Sequence, residues 1–221
     1  MRVVTATMPP SARTTLRRVP ERGSHDRAVA DAILDEGLVA HVGLATDDGP
    51  VVIPTLYARD GDRLLLHGSP ASRLLRAGAK GSEMCVTVTL VDGLVLARSA
   101  FHHSMNYRSV VVFGRAQVID DLDERRAALD VLVEHFVPGR TGDARVPNEK
   151  EVRGTLVLAL PLDELSVKVR TGGPNDEDED MDLPHWAGVI PLDTVAGAPV
   201  TADDLRNDAA PPPYAAAYRR P

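Results

Sequence analysis

Three apolar, β-branched stretches joined by Asp-Gly turns constrain this chain more than any other feature. LVAHVGLAT (38–46), VVIPTLYA (51–58) and RLLLHG (63–68) are separated by Asp47-Asp48-Gly49 and by Arg59-Asp60-Gly61-Asp62. Asp-Gly pairs accept the left-handed dihedrals of tight hairpins, and a hairpin makes its flanking strands antiparallel neighbours. Pro54 has no amide hydrogen for a ladder, so it belongs at an edge or a bulge. A doubly wound parallel sheet does not fit this arrangement.

The same period continues. EMCVTVTLV (83–91) is expected to turn at Asp92-Gly93 into LVLARS (94–99), and a long strand is expected from about Tyr107 to Ile119. GTLVLALPL (154–162) and ELSVKVR (164–170) add two more. Helices interrupt the strands. One is capped by Ser24, places Ala28, Val29, Ala32 and Ile33 on one face, and stops at Gly37. A second starts at Ser69-Pro70 and ends at Gly78; a third has Asp121 and Glu124 as a capping box, with a stripe of Ala128, Leu129, Leu132, Val133 and Phe136. His135 near its end suits the helix dipole. The expectation is a mainly β fold with inserted helices, a closed or split antiparallel barrel, over residues 21–192. Residues 1–20 read as a flexible arm, lying on a partner subunit if ordered, and 193–221 as a Pro/Ala-rich tail that wraps the surface or moves freely.

Charge and composition narrow the function. With 25 basic and 32 acidic residues the net charge is −7, there is no basic stripe, and nucleic acid is not an expected partner. No apolar run reaches membrane-spanning length, so the reading is a soluble, cytoplasmic protein with no membrane partner. The one cysteine, Cys85, forms no internal disulfide or thiolate cluster. The acids of TGGPNDEDEDMD (171–182) lack calcium-loop spacing and read as a solvated charge run.

Two stretches bear chemistry. In HGSPASR, a strand ending at His67-Gly68 meets a helix start carrying Ser69, Ser72 and Arg73; free amides, hydroxyls and a guanidinium outline a phosphate site, although a plain serine cap beside a surface arginine explains them equally. In RSAFHHSMNYRSVVVFGRA (98–116), polar groups crowd the entrance to a core strand. His102 and His103 point opposite ways in extended chain and have no C-x-x-C or H-E-x-x-H partner, so no metal site is expected. Ser104 beside His103 lacks a nucleophile elbow, and neither a Rossmann fingerprint nor a P-loop occurs. What remains is a set of donors, with Met105 and Tyr107 able to pack on a flat ring.

The succession VVIPTLYARDGDRLLLHGSPASR, CVTVTLVDGLVLARSAFHHSMNYRSVVVFGRA, LSVKVRTGGPND and PHWAGVIPL resembles the pyridoxamine 5′-phosphate oxidase-like flavoproteins, nearest the branch that includes nitroimidazole-resistance proteins. The resemblance implies an FMN-binding split β-barrel, a homodimer with FMN at the subunit interface. It would run Ile53, Pro54, Thr55, Leu56 and Tyr57 beside the isoalloxazine ring. His67, Gly68, Ser69, Ser72 and Arg73 would hold the phosphate; Ser104, Met105, Asn106, Tyr107 and Arg108 would line the pocket. Trp186 would cover the ring from across the interface, unless it is a core aromatic. It implies an oxidoreductase that reduces a small organic acceptor, for example a nitro compound, with electrons from NAD(P)H; His102, His103 and Tyr107 are the candidate catalytic proton donors. The deazaflavin F420 in place of FMN, or a flavin- or haem-binding carrier or sensor without turnover, are the alternatives. The end, PPPYAAAYRRP, lacks the R-x-H element of the vitamin B6 oxidases, so the resemblance does not extend to that substrate.

Overall fold

The computed structural model describes residues 9–219. Strands β2 (Val39–Thr46) and β3 (Gly49–Asp60) form the first expected hairpin, and β4 (Arg63–Gly68) joins β3 from Tyr57↔Leu66 to Asp60↔Arg63. Gly49 and Gly61, at the two turns, have φ of 109° and 58°, which L side chains rarely adopt. Helix α2 (Arg73–Ala79) follows β4, and β5 (Glu83–Leu96) and β6 (Ser104–Arg115) make the longest ladder. After β7 (Gln117–Val118) come α3 (Leu122–Phe136), α4 (Glu149–Gly154), β8 (Leu156–Pro161) and β9 (Glu164–Arg170). Two-residue β1 (Gly23–Ser24) pairs with β9, α1 (Arg27–Glu36) follows it, and β10 (Gly188–Pro191) pairs with the second half of β5.

The sheet order is β1-β9-β6-β5-β2-β3-β4-β8-β7. Alternation sends Ala40, Val42 and Leu44, Val86 and Val88, Val110 and Val112, and Leu64 and Leu66 to one side. Val167 on β9 and Leu160 on β8, from opposite parts of the order, join that same cluster, so the sheet curls round on itself. Ala30, Ile33 and Leu34 of α1 pack into the cluster as well. A second core lies outside the barrel wall, where Ala128 and Leu132 of α3 cover Ala58, Leu65, Val157 and Ala159. The fold is the antiparallel split barrel with few helices that the strand pattern implied.

Several local expectations change. Asp26, not Ser24, caps α1: its carboxylate accepts from the Ala28 amide at 2.9 Å, while Ser24 pairs with Val167 in β1. Asp92-Gly93 is no turn. β5 runs straight through it with one extra residue, because its first half pairs with β2 and its second with β10, while β6 spans both. The strand expected at Tyr107–Ile119 begins at Ser104 and breaks after Arg115. His135 donates from Nε2 to Gly37 O at 2.8 Å and stacks on Tyr57 at 5.2 Å, tying α3 to the end of α1.

Among the described residues both ends lie against the rest of the chain, which for the tail is the surface-wrapping alternative. Residues 1–8 and 220–221 lie outside the described residues. Within residues 11–14, Thr14 is buried, Arg13 pairs with Glu83 and Glu164, and its guanidinium stacks 4.8 Å over the Phe113 ring, so the arm lies on its own sheet. The far end is tethered too: Tyr214 donates to Asp143 at 2.8 Å and Tyr218 to Phe136 O at 2.7 Å, around a one-turn helix α5 (Pro213–Ala216). No helix among the described residues is long and apolar enough to cross a membrane.

Candidate functional site

The first cluster is the end of the β3–β4 hairpin. Pairing with β4 starts at Tyr57, so at Pro54 strand β3 has only β2 beside it; the missing amide costs nothing there, and Pro54 and Leu56 are exposed. Ile53 packs on the barrel core and Thr55 is half-buried. Tyr57 is a correction to the expected ring contact: its side chain is fully buried and its hydroxyl donates to Leu34 O at 2.7 Å. His67 is half-buried, its Nδ1 has no partner among the described residues, and burial lowers its pKa, so the imidazole is neutral at pH 7.

Gly68, at φ 155°, turns the chain out of β4; a Cβ there would press on Leu75 at 3.2 Å. Ser69 Oγ accepts from the Ala71 amide at 3.2 Å, and Ser72 stands at the N-cap of α2 with its hydroxyl making no capping bond. Arg73 is exposed. Together with Arg76, Lys80 and the carboxylates Asp47 and Asp48 it lines an open cleft of about 460 Å³, and none of the three cations has an ion pair among the described residues. The arrangement keeps hydroxyls and cations available to a phosphate.

The second cluster lies across the sheet, with β2 and β5 intervening. Ser99 caps a turn of 3-10 helix (Ala100–His102) by accepting from the Phe101 amide, which leaves Phe101 89% exposed. His102 stacks edge-on against Phe101 and lies 3.7 Å from Glu177, whereas His103 Nδ1 donates to Ser99 O at 3.0 Å. Ser104 and Met105 are exposed and Tyr107 is half-buried. Asn106 is buried, donating to Gly172 O at 3.1 Å and accepting from Arg170. Arg108 does not reach freely into a pocket. Its guanidinium is clamped by Glu36 and by Asp92, the residue bulged out of β5, and the hydrogen bonds it donates to both carboxylates raise its pKa. The clamp sits at one wall of a cleft of about 630 Å³ that also touches Thr89, Val91 and Leu192.

The acidic run is only partly solvated. Asp176 is buried; burial pushes its pKa up, but the Arg98 side chain and the Arg98 and Ser99 amides outweigh this and leave it lowered. That bond pins the segment after β9 to the loop before β6. Trp186 is exposed, with its indole edge standing where a Cβ of Gly188 would be, so it is no core aromatic. One chain therefore presents two clusters, or half-sites, on different parts of one sheet: hydroxyls and an exposed guanidinium at 67–73, and a largely exposed loop at 99–108 with Trp186 exposed nearby on the approach to β10.

The sequence profile of the pyridoxamine 5′-phosphate oxidase family matches residues 26–169. The chain belongs to this family. No curated protein matches it. Among solved structures, an FAD and haem binding protein from Mycobacterium smegmatis is 44% identical, with TM-score 0.84 over 87% of this chain and 95% of that one. A flavocytochrome from Azotobacter vinelandii is 39% identical, with TM-score 0.88 over 94% and 96%. A Bacteroides thetaiotaomicron protein provisionally assigned to 5-nitroimidazole antibiotic resistance is 26% identical over 66% of this chain and 86% of that one, with TM-score 0.55.

The part of the chain matched by the oxidase family profile ends before Trp186 and β10, so that family's pattern covers the barrel and the first half-site whole and the second only in part. Sequence reasoning missed Arg170 and Asp176. Arg170 and Asp176 carried no motif; only their counterparts, Asn106 and Arg98, stood in a conspicuous stretch. Arg170 is 6% exposed and, among the described residues, bonds only to neutral oxygens of Asn106, Gly172 and Gly173.

Proposed function

We propose that this protein is a flavin-dependent oxidoreductase of the pyridoxamine 5′-phosphate oxidase family that also carries haem. The observation that carries the reading is the near-complete coverage shared with two relatives, of which one binds FAD and haem and the other is a flavocytochrome. The chain's own residues fit a flavin. Ser69, Ser72, Arg73 and the cations of the 47–82 cleft offer donors to phosphate, and exposed Pro54 and Leu56 offer an apolar edge to a ring. When bound, the flavin supplies the electron-transfer chemistry. Half-buried His67, whose charged form burial disfavours, leaves Arg73 to hold the anion.

Two copies are proposed to pair through the outer face of the sheet, which brings the first half-site of one to the second of the other. In support, registered rows Val52–Gly43–Cys85–Phe113 and Pro54–His41–Thr87–Val111 face outward, and Val39, Val52, Leu56 and Val91 are exposed on the same face. A small organic acceptor is the proposed substrate class, with NAD(P)H as donor and cytoplasm as the compartment.

The absorption spectrum of the purified protein, with mass identification of what acid releases, tests the cofactor. Release of FMN or FAD supports the reading; F420 replaces the flavin by its deaza relative; a colourless protein that takes up none of them overturns it. Anaerobic bleaching by NAD(P)H and reoxidation by a nitroimidazole or a quinone then separate an enzyme from a carrier.

A further inference from the structure

The second half-site contains a platform that the flavin reading leaves without an occupant. Met105 on β6, Leu94 on β5 and Ile190 on β10 are direct cross-strand partners, so their side chains share one face. They are 45%, 41% and 44% exposed, while Val95, pointing the other way, is buried. Gly188 precedes Ile190 by two residues and pairs with Leu96, which puts the Trp186 indole over it on this same face. His103, at φ −59° and ψ 142°, precedes Met105 by two residues and stands at the entrance to β6.

The ring of His103 is oriented. A carbonyl only accepts, so the 3.0 Å contact to Ser99 O puts the proton on Nδ1 and leaves the lone pair on Nε2, in an exposed side chain. A backbone carbonyl holding one nitrogen while the other faces outward is the usual support of a metal-ligating histidine. Of the other histidines only His135 has a ring nitrogen held by a backbone carbonyl among the described residues, Nε2 on Gly37 O, and its ring packs against Tyr57 between α3 and the end of α1. His67 has no partner at Nδ1, His102 leans on Phe101 and Glu177, and among the described residues no hydrogen bond fixes His25, His41 or His185.

We propose that His103 is an axial ligand of haem iron through Nε2, with the porphyrin lying on the face of Met105, Leu94, Ile190 and Trp186. The proposal rests on the haem part of the functional reading above. Met105 and Trp186, assigned to a flavin ring by resemblance alone, serve the haem in this arrangement, and the flavin keeps the Pro54–Arg73 end.

The full-length protein, expressed with 5-aminolaevulinate and titrated with hemin, is compared with His103→Ala and with His25→Ala. The expected result is the Soret spectrum of a histidine-ligated haem in the parent and in His25→Ala. His103→Ala loses it or turns high-spin, imidazole restores it, and flavin content stays at the parent level. Leu94→Asp, which keeps the histidine but charges the platform, is expected to lose hemin while keeping flavin. A haem-loaded His103→Ala with the parent spectrum overturns the ligand assignment and leaves the haem reading standing. A parent protein that binds flavin but no hemin overturns both.

Discussion

Arg73 and Arg108 illustrate how one residue type takes opposite roles. Arg108 is fully engaged by Glu36 and Asp92, whereas Arg73 is exposed and has no carboxylate partner among the described residues. Arg73→Ala is expected to weaken flavin binding by about 1.5–3 kcal/mol, the value of a charge-assisted bond, with no change in thermal unfolding of the apoprotein; flavin fluorescence titration reads it. Glu164 gives a pH dependence. Hydrogen bonds from Arg13 and Ser11 hold its carboxyl down to about 2, below its ordinary 4.5. A lowered carboxylate stabilises above its ordinary value and stops doing so as pH falls through the folded value, so the tie of residues 11–14 to β9 weakens from about pH 4.5 to 2. Faster amide exchange of residues 14 and 15 over that window, abolished as a pH effect in Glu164→Gln, is the expected outcome. Of these residues Arg73 was legible, because a strand, a Ser-Pro pair and an arginine stand together in sequence. The clamp on Arg108 was not, since Glu36 is 72 positions away and nothing local marks it.

At the scale of elements, α3 matters through one face. Leu132 is buried against Leu65 and Val157 in a core of its own outside the barrel, so Leu132→Ala is expected to cost about 2–5 kcal/mol of stability, read by urea unfolding. The stripe was legible from its spacing, and so were the hairpins at 47–49 and 60–62, because local turn chemistry decides them. Asp92-Gly93 has the same chemistry and became a bulge. Its outcome depends on β2 and β10 claiming successive halves of β5, a competition between segments roughly 140 residues apart in sequence. The second half-site was half legible for the same reason: the histidines stand out in the sequence, while Leu94 and Ile190 join Met105 only through register.

At the scale of the molecule, the core period gave the barrel, while the state of the ends stayed open because exposed polar composition looks alike whether or not it is tethered. Arg13 and Tyr218 each fasten a segment through one or two polar contacts. Tyr218→Phe is expected to release the last residues without moving the main unfolding transition, seen as new proteolytic cleavage after residue 200. If two copies pair on the outer sheet face, Val52→Asp, which puts a charge on a residue 65% exposed in one copy, is expected to give a monomer by sedimentation and to strip flavin along with the partner.

The division of labour along β5 has an evolutionary side. Its first half belongs to the barrel wall, its second to a three-stranded tongue with β6 and β10, and the bulge at Asp92 is the joint. Substitutions on the outward face of the tongue leave the barrel core untouched. A lineage can therefore exchange what docks there, and so add, lose or retune a redox partner, while the machinery that folds the chain stays constant.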